Sequence, residues 1–270
     1  MDRARVDGAT LEYSSRGSGE PVLLIHGAHI GDGLKPLVSE EPLADRYRLI
    51  LYHRRGYAGS DRASHPFSFE EQAADARALL EALGVERAHV VGHSSGAAIA
   101  LQLALDSSEF VQSLALLEPP LLAAPGAEQF AQAGEGMVQR WSSGDKEGAV
   151  DEFLAAVSAP DYRRTLDGLL PGAFEQAVRD SDTFFGIEFP SLPEWKFGTE
   201  EAKRVRPPVL LVSGDESLPW FSEGDELLEQ WLPQTERAVI NGSNHLFQLA
   251  GHAAPLAEKL ASFFARHPIK

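Results

Sequence analysis

The sequence predicts an α/β fold: a mostly parallel central sheet flanked by helices, with a helical segment inserted between two strands. Three observations predict it. Short apolar runs alternate with helical patterns along the chain. The runs are apolar at consecutive positions rather than at every second one, as expected of strands covered on both faces. From Pro119 to Arg206 helical patterns continue without a convincing buried strand.

The elements follow in order. "TLEYSSRG" (10–17), with the opening stretch, reads as an antiparallel lead-in strand. "PVLLIHG" (21–27), "YRLILYH" (47–53), "AHVVGHS" (88–94), "QSLALLE" (112–118) and "PPVLLVSG" (207–214) read as buried parallel strands. "ERAVING" (236–242) reads as a further strand. Ser68 and Glu71 have capping-box spacing. Phe69, Ala73, Ala76, Leu80 and Leu83 then form one apolar stripe, and Gly84 is placed to end that helix. "SSGAAIALQLAL" (94–105) is apolar nearly all round and reads as a buried helix. "PLAEKLASFFARH" (255–267) reads as the closing helix.

Residues 1–118 and 207–270 are therefore expected to form the core, and 119–206 a helical cap. The cap opens with Pro119-Pro120 and ends before Pro207-Pro208. Trp141, Tyr162, Phe184 and Phe185 read as its own core. Trp195, and Trp220 beyond the cap, are candidate pocket walls.

The bulk properties narrow the function. With 270 residues, 43% of them hydrophobic, the chain can bury one full-size core. A formal net charge of -16 repels phosphate backbones, so nucleic acid is not an expected partner. There is no cysteine, hence no disulfide and no thiolate chemistry. No apolar run reaches membrane-spanning length and the N-terminus lacks an apolar signal core, so a cytoplasmic protein without a membrane partner is expected. Neither a glycine-rich dinucleotide fingerprint nor a P-loop is present. No His pair combines with carboxylates at metal-ligand spacing. Neither cofactor nor metal is expected.

The chemistry centres on "VVGHSSGAAIA" (90–100). Ser94 follows a buried strand and opens a buried helix, with Gly92 and Gly96 two positions to either side. This is the G-x-S-x-G elbow in its strand-turn-helix context. The turn is tight enough that side chains at the two glycines would clash. The hydroxyl of Ser94 then projects above the carboxyl ends of the strands, where open α/β sheets bind ligands. Ser95 has a different use: its backbone N–H, at the helix N-terminus, can hold an oxyanion.

With these motifs the chain resembles the α/β-hydrolase superfamily, and within it the serine ester hydrolases, over nearly its whole length. "IHGAH" (25–29) resembles the family's His-Gly loop, which implies a second oxyanion donor at the N–H of Ala28, with Gly27 allowing close approach. "YHRRGYAGSD" (52–61) resembles the R-G-x-G-x-S loop, with Ala58 in place of the second glycine and His53 where Asp is frequent. That loop is usually structural, so Arg55 and Ser60 are read as scaffold. The resemblance implies a base shortly after the last strand. His245 stands there, in a Gly/Ser/Asn loop. His252 falls at the start of the closing helix and reads as a surface group. His26, His29, His89 and His93 read as packing or hydrogen-bonding groups, with His29 also a candidate pocket residue. His65 and His267 have no evident role.

The acid is the point of departure. The family pattern G-x-x-D after the strand that follows the cap becomes "GDES" here, so Ser217 stands where Asp is expected. A hydroxyl cannot balance an imidazolium. Either Asp215 or Glu216 swings in, or the acid is Glu118 at the end of the preceding strand. Glu118 is preferred. The zearalenone lactonases are similar in three respects: a Glu after this strand, no Asp after the later one, and S-G-A following the elbow serine. Glu118 also lies 24 residues after Ser94, an offset that resembles theirs. The resemblance therefore implies hydrolysis of a small hydrophobic ester or lactone through an acyl-enzyme. Same-fold carbon–carbon hydrolases, hydroxynitrile lyases and hydrolase-like small-molecule receptors stay open as alternatives. Dehalogenases and epoxide hydrolases of this fold need Asp where Ser94 stands. Oligomeric state is not legible.

Overall fold

The computed structural model describes residues 1–63, 66–249 and 251–269; His65 lies outside them. Eight strands make one sheet: β1 (Asp2–Val6), β2 (Ala9–Arg16), β3 (Glu20–Ile25), β4 (Tyr47–Tyr52), β5 (Ala88–His93), β6 (Val111–Leu117), β7 (Val209–Gly214) and β8 (Thr235–Ile240). Their order across the sheet is β1-β2-β4-β3-β5-β6-β7-β8. From β4 to β8 every pairing is parallel, while β1–β2 and β2–β4 are antiparallel.

The consecutive apolar runs have their explanation in the two faces. In β3, Leu23 and Ile25 pack into one hydrophobic cluster with Leu79, Leu80 and Ile99 of the helices on that side. Val22 and Leu24 pack into a second cluster with Leu256, Leu260 and Phe264 of the closing helix. Alternation of side chains across a strand thus consumes every residue. The capping box before the helix Phe69–Ala82 is closed in both directions: Glu71 N–H donates to Ser68 Oγ at 3.2 Å, and Ser68 N–H to Glu71 Oε2 at 2.9 Å.

Two elements differ from expectation. The opening stretch is a hairpin of two strands, β1 and β2, rather than one lead-in strand. In β1 only Ala4 and Val6 are buried, so its polar edge gives no apolar run to read. A helix unread in the sequence, Pro219–Trp231, connects β7 to β8. Its buried face carries Trp220, Phe221, Gly224, Asp225 and Leu228, and the two polar or small positions interrupt the stripe.

Between β6 and β7 the described residues form helices and no strand, chiefly Ala127–Ser142, Lys146–Val157, Tyr162–Leu169 and Ala173–Thr183, the last running into one π-helical turn, Phe184–Glu188. Their aromatics pack with Ile30, Leu246 and Leu249 of the sheet side. Polar contacts stitch this segment to the loop after β4. Thr183 Oγ1 donates to the carbonyl of Gly56 at 2.7 Å, Asp180 accepts from Ala58 N–H at 2.9 Å, and Arg62 pairs with Asp180 at 2.6 Å. Among the described residues no helix is long and apolar enough to cross a membrane.

Candidate active site

The elbow is built by contact between backbones. Ser94 sits between β5 and the helix Ser95–Asp106 at φ 54°, ψ -125°. A non-glycine residue in that region is strained and persists only when its surroundings impose it. Here they do. A Cβ on Gly92 would lie 2.3 Å from the carbonyl oxygen of Gly96, and a Cβ on Gly96 would lie 2.3 Å from that of Ile25. Backbone cannot move aside as a side chain could, so both positions require glycine. Ser94 N–H is held by the carbonyl of Leu117, 2.8 Å away on neighbouring β6.

The order β5-β6-β7 then brings the end of β6 beside the elbow. Glu118 follows β6 directly, at φ 51° and fully buried. Its Oε1 accepts Gly214 N–H at 2.8 Å and its Oε2 accepts from His245 Nδ1 at 2.5 Å. One carboxylate thus ties the ends of β6 and β7 to the loop after β8. With Nδ1 engaged as donor, Nε2 is the imidazole atom left to take a proton. The ring itself is clamped. Phe221 stacks on His245 at 4.0 Å with planes 7° apart, and His93 lies on it at 4.7 Å. His93 Nε2 donates to the carbonyl of His245 at 2.9 Å. Burial holds the His93 pKa well below the usual value, so this second imidazole is a neutral donor.

The other carboxylates are elsewhere. Asp215 accepts the N–H groups of Gly242 and Ser243 at 2.6 and 3.2 Å, closing the turn after β8. Asp215 and Glu216 are both exposed. The hydroxyl of Ser217 is buried without a hydrogen-bond partner. Among the described carboxylates, Glu118 is the one hydrogen-bonded to the imidazole of His245.

Ser94, Ser95, Ala28 and His245 line one narrow cavity of about 30 Å³, with Trp220, Phe221 and the aromatics of the helical segment around it. That is room for a couple of water molecules. Ser95 opens its helix, so its N–H has no helical partner. Ala28 lines the same cavity, and a Cβ on Gly27 would come within 3.0 Å of Ser94 Cβ, which explains the glycine. Behind Ala28 the loop is pinned. Arg54 Nη2 donates to the carbonyl of Gly27 at 2.9 Å. His26 Nδ1 donates to the same carbonyl at 2.7 Å while its Nε2 accepts Arg54 N–H at 3.0 Å. A larger cleft, about 590 Å³, opens between the loop after β3 and residues 169–179, but none of the residues just named lines it.

Two residues expected as pocket walls stand behind the wall instead. His29 is fully buried, packed at 4.4 to 5.1 Å against Phe153, Phe184 and Phe185, with neither ring nitrogen bonded. Burial pushes its pKa down to about 3, so it is a neutral ring in an aromatic cluster. Trp195 donates to Gln102 Oε1 at 3.0 Å and packs on Phe69 and Phe197. Phe69 lines the cavity and Trp195 does not. His252 precedes the closing helix, half-buried, and does not line the cavity with Ser94.

Three charged groups near the site escaped the sequence reading: Arg54, Glu188 and Asp225. Asp225 had a visible signal, an acidic residue on the same helical stripe as Phe221 and Leu228. It is fully buried, lies beside Ser213 and Glu118, and neither carboxylate oxygen makes a well-formed hydrogen bond. Burial, reinforced by the charge of Glu118, raises its pKa from 3.8 to about 7. The folded protein therefore holds a proton that the unfolded chain releases above pH 4. The stability from this group is complete below about pH 4 and is lost as the pH rises to about 7. Asp225→Asn should thus stabilise the protein at pH 8 by up to about 4 kcal/mol. The gain in melting temperature should be roughly 10 °C and should nearly vanish at about pH 4. Calorimetry at the two pH values checks this, and an unchanged or lower melting temperature at pH 8 contradicts it.

The chain is similar to known proteins. A putative carbamate hydrolase of Azorhizobium caulinodans is 28% identical over 266 residues, covering 92% of each chain. The dihydrolipoyllysine-residue acetyltransferase component of the acetoin cleaving system of Cupriavidus necator is 35% identical over 265 residues, which span 97% of this chain but 66% of that longer one. Among solved structures, an N-acyl homoserine lactone degrading enzyme superposes with a TM-score of 0.74 at 27% identity, covering 97% of this chain and 100% of that one. An esterase of Thermogutta terrifontis superposes with a TM-score of 0.85 at 18% identity, covering 99% and 100%, and so shares the fold. The alpha/beta hydrolase fold family matches residues 20–251, from β3 to the loop that carries His245. The chain belongs to that family.

Proposed function

We propose that the protein is a serine hydrolase of carboxylic esters or lactones, with Ser94 as nucleophile, His245 as base, Glu118 as acid and residues 119–206 as the cap over the pocket. His245 Nε2 takes the proton of Ser94 Oγ as the oxygen attacks the substrate carbonyl carbon. The N–H groups of Ala28 and Ser95 hold the tetrahedral oxyanion. The imidazolium returns its proton to the leaving oxygen, the alcohol departs, and water releases the acid from the acyl-enzyme by the same route. Opening a lactone follows the same steps, with the leaving oxygen still tethered to the acyl chain.

The observation that carries the reading is the 2.5 Å bond from His245 Nδ1 to the buried Glu118. A buried carboxylate on the imidazole is what an imidazolium formed during catalysis needs. The likeness to a lactone-degrading enzyme and to a putative carbamate hydrolase supports attack on a carbonyl. The narrow, aromatic-walled cavity favours a short apolar acyl group.

The test is turnover of a short-chain nitrophenyl ester and a γ-lactone in heavy-oxygen water. The product acid should carry one labelled oxygen per turnover. Binding that raises the melting temperature without turnover would identify a small-molecule receptor instead.

A further inference from the structure

Among the described residues that line the cavity, Glu188 is the single carboxylate, and no lysine or arginine lines it. Glu188 comes from the π-helical turn of the helical segment and is 1% exposed. Its carboxylate is held from behind. Arg54, equally buried, pairs with it through both guanidinium nitrogens Nη1 and Nη2, and Tyr57 donates its hydroxyl to Oε2 at 2.8 Å. Arg54 also donates to Gln72, to the carbonyl of Gly27 and, at 3.4 Å, to Ser95 Oγ, while its Nε–H has no partner. Arg54 does not itself line the cavity, whereas the carboxylate of Glu188 forms part of its wall.

We propose that Glu188 is a specificity-determining residue that confines the site to esters and lactones uncharged near the scissile carbonyl and turns away those bearing a carboxylate. The inference rests on the acyl-transfer reading and adds the substrate's charge class to it. An anionic substrate would lose its hydration in this cavity, meet a carboxylate and find no lysine or arginine in the wall to pair with. A neutral substrate meets apolar rings and pays none of that cost. The chain's net charge of -16 acts in the same direction from a distance, by slowing the approach of anions.

The experiment compares two activated esters of similar length, nitrophenyl butyrate and the nitrophenyl half-ester of succinate. Both are assayed in about 0.5 M salt, which screens the overall charge and leaves the cavity's own field. In wild type, kcat/KM should favour the neutral ester by about a hundredfold or more. In Glu188→Gln, Arg54 carries an uncompensated positive charge, and this preference should shrink at least about tenfold. Glu188→Asp keeps the charge and should keep a preference near that of wild type. A merely structural role would lower both rates together and leave the ratio unmoved. A ratio near unity in wild type, or one unaltered in Glu188→Gln, overturns the proposal. The wild-type ratio remains decisive should Glu188→Gln not fold. Absence of turnover on both esters in wild type would instead remove the acyl-transfer reading, and this inference with it.

Discussion

Replacing Glu118 by Gln is expected to lower kcat for a short-chain nitrophenyl ester by a factor of about a thousand to ten thousand, with KM little changed. The swap nearly preserves shape, and the reason for the loss lies in proton positions. Glu118 serves two donors at once, Gly214 N–H on Oε1 and His245 Nδ1 on Oε2. A glutamine has one acceptor oxygen. Facing that oxygen to Gly214 N–H turns its NH₂ toward His245, which must then accept at Nδ1 and carry its proton on Nε2. That is the tautomer unable to deprotonate Ser94. The charge that would stabilise the imidazolium is lost as well. Asp215→Asn provides the contrast: it loosens the turn at Gly242 and Ser243 and should change the rate by less than about threefold. A near-normal rate in Glu118→Gln with a collapse in Asp215→Asn would move the acid to the loop after β7.

Ser94→Ala should have the largest effect, a loss in kcat of about a hundred thousandfold or more, because no other group supplies the nucleophile. Ser95→Ala keeps the backbone N–H proposed to hold the oxyanion and should cost less than about tenfold. The two variants separate the adjacent hydroxyls that the sequence sets side by side. The strained backbone of Ser94 gives a second, independent readout: Ser94→Gly relieves φ 54° and should raise stability while abolishing turnover.

What was legible in the sequence was whatever depends on near neighbours. β3, β4, β5, β6 and β7 declare themselves because both faces of each are covered, so no polar residue interrupts the run. The elbow declares itself because its steric conditions fall within five residues, Gly92 to Gly96. Glu118 became a candidate through an absence, the hydroxyl at Ser217. The polar edge strand β1 has no such local signature. The helix Pro219–Trp231 hid because Gly224 and Asp225 break its inward stripe. The pair Arg54–Glu188 joins residues 134 positions apart, and nothing near either one announces the other. Pocket walls were the least legible. Trp195 and Trp220 look alike in sequence, yet one donates to Gln102 inside the core while the other lines the cavity, donating to the carbonyl of Leu121. Which ring faces the cavity depends on how the helical segment lies across the sheet.

The most direct measurement is to find where the acyl group goes. The protein is mixed with a slowly released activated ester, quenched in acid, digested and read by mass spectrometry. The account predicts one acyl group per chain, on Ser94, absent from Ser94→Ala and unchanged in position in Ser95→Ala. An acyl group on Ser95, or turnover with no covalent intermediate on the peptide containing Ser94, would contradict it.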